Sequence, residues 1–486
     1  MINSFKNFFS SKEILIILLF SILVKIPDIN IALRGDIETY ILMGDSYLKG
    51  EFHRYFDNKS QFVTSIYASI LYLSGNDLRV FQLYGIILIF ISGFLIGKVF
   101  NNKKNSLLAA ITFIFFSTLF NDGGNYIMTE HIVIIPILIS YLILIKEKVS
   151  KIDFFVIGLM LSLSSLIRQN FLILHLALTL YLLIKINKNN FLNFIFFCFG
   201  SGLIWILFLI IIYNLNGFEY LITNYLQPIT DEPEKGYFFN FYRLILFGLH
   251  IHNFNLYNYD NIKIINSLFF YTSSFVFFLI NLKILIKKNN ILLIYLFSIS
   301  LGIFFTGSFS THYLIQIMPF LTILIFQFLP NKKFVKKLIK INVIFFIIVL
   351  VVDYNSHFIK KTKGTYQDFI NLTNWINNNL DPAENIYLYR GHSAYIKIKQ
   401  EPLTKHAHPP NIFKSKYLQY INKDKNYTPN KEWKNILKYK PKVIVLYTTD
   451  DFDNFLMNVD DIDFSKKINL EENTTLIGIY KILKID

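Results

Sequence analysis

The chain has 486 residues, of which 53% are hydrophobic, 17% aromatic and only 17% charged, and its mean hydropathy is +0.42. A water-soluble chain has no way to keep so much apolar surface inside, so this is read as a membrane protein, and its single cysteine, Cys198, excludes a disulfide framework or a multi-cysteine metal site within one chain. The net charge of +15 does not point to nucleic acid, because the lysines fall in short segments between apolar runs.

A helix needs about 20 apolar residues to cross the hydrocarbon, with roughly 17 as a lower limit. Eleven segments are predicted to do so: 14–33, 80–99, 105–121, 126–145, 152–168, 170–186, 191–213, 264–286, 291–306, 312–329 and 341–353. The first is expected to stay as an anchor, since Lys25, Pro27 and Asp28 stand where a cleaved signal would carry small residues. Lysines occupy alternate loops: Lys6 and Lys12, Lys103 and Lys104, Lys146, Lys148 and Lys151, Lys185 and Lys188, Lys287 and Lys288, then the cluster from Lys332 to Lys340. Positive loops stay in the cytoplasm, so the N-terminus is expected inside. The opposite loops carry acids, with Asp36, Glu38, Asp45, Glu51 and Asp57 in the first, Asp122 in the second, and Asp231, Glu232 and Glu234 in a long central one.

An odd number of spans places everything after about residue 354 outside. There Phe369, Leu372, Trp375, Ile376 and Leu380 recur at helical spacing within 362–380, and 432–439 reads as a second helix. The segments 385–389, 442–447 and 476–483 read as strands. The expected organisation is therefore a polytopic α-helical membrane domain, 1–353, followed by a small extracytoplasmic α/β domain, 354–486.

The chemistry-bearing residues cluster in the first outer loop and at three places beyond it. Asp36 is predicted where the first helix leaves the membrane, and Tyr40, Met43, Tyr47 and Leu48 have the spacing of a helix lying along the interface. A carboxylate at that border suits a general base for an acceptor hydroxyl or amine; a solvated aspartate capping the helix is the plain alternative. Glu130 and His131 open the fourth span, a costly place for an acid and an imidazole unless they face a polar cavity or a partner within the bundle. Arg168 interrupts the apolar stretch 152–186, which is too long for one span. It is expected in a tight turn between two short helices, where its fork suits a phosphate or its length lets it snorkel. His392, His406 and His408 form no convincing metal spacing with a cysteine or an acid.

The form Gly35-Asp36-Ile-Glu38-Thr-Tyr40, then a helix, then Leu48-Lys-Gly50, then Leu71-Tyr-Leu-Ser-Gly75 resembles the GT-C superfamily of membrane glycosyltransferases. The likeness is to the branch that includes protein O-mannosyltransferases and the lipid A aminoarabinose transferase. The resemblance implies that Asp36 is catalytic, with Glu38 and Tyr40 beside it, although Ile37 separates the two acids that O-mannosyltransferases place side by side. Tyr126-Ile-Met-Thr-Glu130-His131 is similar to the family's second acidic position, where Glu130 would bind the acceptor, share a divalent cation or polarise the sugar. Arg168 resembles a basic residue near the lipid-phosphate donor, and Thr311-His312-Tyr-Leu-Ile-Gln-Ile-Met-Pro319-Phe resembles a late helix of the family, with an aromatic interface belt as its plain alternative. Residues 375–395 look like the soluble domain that closes many bacterial members.

These readings imply an inverting transfer of a sugar from a polyprenyl phosphate to a glycan, lipid or protein at the outer face of a bacterial inner membrane. Arg168, Arg34, Lys49 and Arg54 are the expected phosphate-binding cations. No glycine-rich nucleotide loop is present, which fits a lipid donor. An O-antigen polymerase or ligase and a secondary transporter are the alternatives; the former place their large outer domain between spans, and the latter need broken helices at the bilayer midplane.

Overall fold

A computed structural model describes residues 11–33, 35–52, 54–55, 60–118, 128–186, 191–214, 271, 274–275, 277–287, 289–305, 311–328, 351, 364–406, 409, 418–419, 422, 424–448 and 474–484. Arg34, Asp122, Tyr126, Lys188, the acids at 231–234, the cluster 332–340, His408 and the span expected over 341–353, save Val351, lie outside the described residues, as does part of 264–286. In chain order the longer helices are α1 (Ser11–Lys25), α2 (Asp36–Leu48), α3 (Gln61–Ser74), α4 (Arg79–Gly97), α5 (Lys103–Thr118), α6 (Thr129–Leu144), α7 (Lys151–Ile167), α8 (Leu172–Ile184), α9 (Phe191–Asn214), α10 (Asn290–Phe304), α11 (Met318–Phe328), α12 (Tyr366–Asn379) and α13 (Pro429–Lys438). The strands are β1 (Ile386–Leu388), β2 (Val443–Tyr447), β3 (Thr474–Ile477) and β4 (Tyr480–Lys484).

The chain divides into two compact units, and the division does not follow the chain in order. The first comprises Met1–Asp28 with Gln82–Asn355; the second joins Ile29–Phe81 to Ser356–Asp486. The segment 29–81 thus packs with the C-terminal segment, a partnership that the expected boundary at 353/354 does not contain.

The first unit is helical. α4 and residues Phe191–Ile211 of α9 are long and apolar enough to cross a membrane, and shorter apolar helices cover Thr129–Leu144, Gln169–Ile184, Asn290–Phe304 and Met318–Gln327. α9 leaves Phe199, Ile206, Leu207, Ile210 and Ile211 exposed, a continuous apolar face that water would not tolerate. Its opposite face lies backbone to backbone on α7: a Cβ at Gly158 would meet the carbonyl of Phe197, and one at Gly200 the carbonyl of Phe155. Small residues at a membrane-helix contact allow that approach. Two expected segments are shorter than the hydrophobic pattern suggested. α1 stops at Lys25, followed by a 3-10 turn at Ile26–Asp28, because Pro27 cannot continue the hydrogen-bond ladder. The segment 312–329 is a 3-10 stretch, Thr311–Gln316, and then α11.

In the second unit, capping decides the helix limits. Ser60 accepts from the Val63 N–H at the start of α3, and Gly75 closes it in the left-handed conformation (φ 58°). Sequence periodicity had not singled out this helix. Thr365 and Asp368 form a capping box for α12, and Thr428 with Pro429 starts α13. The sheet order is β1-β2-β4-β3, with β1 parallel to β2 and the other pairs antiparallel. The single strand expected over 476–483 is in fact a hairpin, turned at Gly478 (φ 55°). Tyr387, Trp433, Ile436, Ile444, Leu446 and Leu483 form the core between the sheet and α13.

Candidate functional site

In the first unit, three residues far apart in sequence converge. Glu130 is the second residue of α6 and is fully buried. Arg168 is the residue at which α7 stops: its backbone is extended (φ −143°, ψ 121°), and a single 3-10 turn, Gln169–Phe171, leads into α8. The end of α7 is loosened by its own serines, since Ser164 and Ser165 donate back to the carbonyls of Met160 (2.7 Å) and Leu161 (3.0 Å). The turn is then locked in place. Asn170 Nδ2 donates to Gln316 Oε1 (2.7 Å), and Gly302 of α10 leaves room for the Asn170 carbonyl.

These supports bring Arg168 Nη1 onto Glu130 Oε1 and, at 2.7 Å, onto Thr129 Oγ1. His312 Nε2 lies 3.6 Å from the same Glu130 oxygen, and the guanidinium sits over the Tyr313 ring, 4.5 Å from its centre. Burying a charged carboxylate is costly unless it is paired, so the two act as a unit: Arg168 neutralises Glu130 while 15% of its own side chain remains exposed. Arg168 therefore does more than reach for the interface. His131, one residue on, turns elsewhere. Its Nδ1 accepts from the Met128 N–H and its Nε2 lies 3.3 Å from the Ser117 carbonyl, so the Nε2–H tautomer satisfies both and ties the start of α6 to α5.

In the second unit, α2 begins immediately after Gly35 (φ 65°), and Asp36 is its first residue, half-buried. Asp36 and Glu38 both fall in the first turn, where the helix dipole favours negative charge. Glu38 is 1% exposed. Its Oε1 accepts from Ser393 Oγ (2.9 Å) and the Ser393 N–H (3.5 Å), and its Oε2 accepts from Tyr447 OH (3.2 Å). His392 Nδ1 lies 3.7 Å from Oε2, while His392 Nε2 is 3.3 Å from Thr39 Oγ1. Burial pushes the Glu38 carboxyl up to about 7, against the hydrogen bonds from Ser393 and Tyr447 and the charge of Arg390. Tyr40 stacks on Tyr67 with ring centres 5.0 Å apart and is 5% exposed, which gives its ring to the packing of α2 on α3.

Of the expected phosphate-binding cations, Lys49 and Arg54 are engaged with acids. Lys49 pairs with Asp45 at 2.7 Å, and Arg54 pairs with both Glu51 (2.6 Å) and Glu401. Either would have to give up a carboxylate to take a phosphate. Among the described residues, no three or more His, Cys, Asp and Glu side chains gather in a way that would hold a metal ion. The residues that sequence reasoning missed are the partners of Glu38. His392, Ser393 and Tyr447 follow no chemical motif, and the Gly391-His-Ser turn was the one local signal available.

No family model and no curated protein matches the sequence. Solved structures do. The crystal structure of ArnT from Cupriavidus metallidurans bound to undecaprenyl phosphate is similar with a TM-score of 0.59 at 10% identity, covering 97% of both chains. The apo state of the same protein gives 0.61 at 9% identity, again over 97% of both. The chain shares the fold of these ArnT structures along nearly its whole length.

Proposed function

We propose that this chain is a membrane glycosyltransferase that moves a sugar from a polyprenyl phosphate to a glycan, lipid or protein acceptor at the outer face of a bacterial inner membrane. The observation that carries the reading is the fold likeness over 97% of both chains to ArnT, a protein whose structure was obtained with undecaprenyl phosphate bound. The same likeness favours a transferase over the polymerase, ligase and transporter alternatives.

In this reading Asp36 takes the proton from the acceptor O–H or N–H. The electron pair so freed forms a bond to the anomeric carbon from the face opposite the phosphate. The bond from that carbon to the phosphate oxygen breaks, and its electrons leave with the polyprenyl phosphate, so the configuration inverts. Phosphate is a good leaving group and needs no general acid. Arg168, already paired with Glu130, meets the leaving phosphate, and His312 supports the same Glu130 oxygen. Glu130 thereby acts through Arg168, in place of the direct acceptor or metal contact that the resemblance left open.

The deciding experiment is Asp36→Asn in the full chain. The substitution keeps the shape and removes the basic oxygen, so sugar transfer should be abolished while binding of undecaprenyl phosphate is retained. Normal turnover would end the reading. Arg168→Lys keeps the charge and loses the fork, and should weaken apparent donor use roughly ten- to a hundredfold. The accompanying topology, N-terminus inside and residues 354–486 outside, predicts a cytoplasmic reporter signal at residue 335 and an external one at residue 400.

A further inference from the structure

The segment that carries Asp36 is fastened to the C-terminal part of the second unit on both of its sides. Before Asp36, the Asn30 carbonyl accepts from the Tyr366 N–H (2.7 Å), Ile31 forms an antiparallel bridge with Thr365, and the Ala32 N–H donates to the Gly364 carbonyl (3.4 Å). After Asp36, Glu38 and Thr39 are held by Ser393, Tyr447 and His392, as described above. The Gly364 hinge is tight, with φ 72° and the Ile479 side chain against the place a Cβ would occupy, so this tie is set by the hairpin β3-β4 as well. α2 is also packed from a third direction, where Gly44 lies against the Ala68 backbone of α3 at a virtual Cβ distance of 3.0 Å.

We propose that residues 364–366, 392–393 and 447 form the positioning element of Asp36, with Glu38 as the positioning residue through which the C-terminal segment fixes the first turn of α2. This rests on the catalytic reading of Asp36 given above. Within one helical turn, the orientation of residue 36 follows that of residue 38, because α2 has no side-chain cap of its own: Gly35 offers none. A helix start without a side-chain cap depends on other contacts, and the Glu38 carboxyl, gripped by donors more than 350 residues away in sequence, supplies one within the first turn. A carboxyl 1% exposed with three donors at 2.9–3.5 Å is a built contact and not a surface accident.

The experiment uses the full chain in detergent, with undecaprenyl phosphate as the binding probe and the polyprenyl-phosphate-linked sugar pool extracted from the native host as donor. Ser393→Ala and Tyr447→Phe each remove one donor to Glu38; Ser393→Thr keeps the hydroxyl. Ser393→Ala with Tyr447→Phe should lower kcat roughly ten- to a hundredfold, the loss that a misplacement near 1 Å brings, with apparent KM for donor and affinity for undecaprenyl phosphate within about twofold. Amide hydrogen exchange over 36–42 should quicken while α4 to α11 stay as in the wild type, and Ser393→Thr should restore both. Should the double variant fail to fold, Tyr447→Phe alone, which deletes a single oxygen, must still show the kcat loss. Wild-type kcat in folded Ser393→Ala and Tyr447→Phe, or a loss that appears wholly in KM, overturns the proposal. The two readings separate cleanly: an active Asp36→Asn removes the catalytic role, whereas an inactive Asp36→Asn beside fully active Ser393→Ala and Tyr447→Phe removes only the positioning role.

Discussion

Two glutamates in this protein are equally buried and are held in opposite ways. Glu130, 0% exposed, meets a guanidinium and an imidazole; Glu38, 1% exposed, meets a serine, a tyrosine and a histidine. In the first case a permanent cation offsets the burial of charge, and the position is fixed by an ion pair. In the second, hydroxyl donors supply hydrogen bonds but little charge, so desolvation dominates and the carboxyl rises to about 7. Burial alone therefore does not tell what an acid does. The partner decides whether it is a fixed charge or a group that can change its protonation near neutral pH.

The sharpest way to break this contrast is to remove the cation. Arg168→Ala leaves Glu130 without its partner and should cost about 3–5 kcal/mol of stability, measured by thermal or denaturant unfolding in detergent, while Arg168→Ala combined with Glu130→Gln should recover much of the loss. A small effect of Arg168→Ala would mean that His312 and Thr129 suffice. The second test is pH. Glu38 binds its proton more tightly folded than unfolded, so its contribution is full below the ordinary carboxylate value of 4.5 and is lost as pH rises through about 7. Relative to Glu38→Gln, the wild type should lose on the order of 3 kcal/mol over that interval. A flat difference would place Glu38 with Glu130 as a compensated charge. The smallest effect is expected at Lys49, whose half-exposed side chain lies 2.7 Å from Asp45. Lys49→Ala should change stability by no more than a few tenths of a kcal/mol, and a larger change would show that first-loop ion pairs do structural work.

Apart from α3, the helices named here were legible because their limits follow local rules. The break at Arg168, the helix that starts at Asp36 and the strands at 386–388 and 443–447 all lie within a few residues of where periodicity, Pro, Gly and caps place them. Where two local signals competed, the stronger stereochemical one prevailed: Pro27 ended α1 ahead of its apolar pattern, and Gly478 folded an apolar run into a hairpin. The pairing of Glu130 with Arg168 and His312 was not legible, although all three had been singled out, because no spacing rule links residues 38 and 182 positions apart. The grip on Glu38 was less legible still. Ser393 and Tyr447 carry no signature, and their role exists only once the C-terminal strands have been brought against α2.

The discontinuity of the second unit has a consequence for how the protein is made. Ser393 follows Glu38 by 355 residues, so at a translation rate of about 5–20 residues per second roughly 20 to 70 s separate the synthesis of the two. Throughout that interval the donors to Glu38 are absent, and of the contacts described for α2 only those with α3 can form. Only when β2, β4 and the turn at His392–Ile396 have emerged does the first loop acquire its final form. A nascent chain arrested before residue 390 would hold all of the helices from α1 to α11 and would still lack Ser393 and Tyr447, the hydroxyl donors to Glu38.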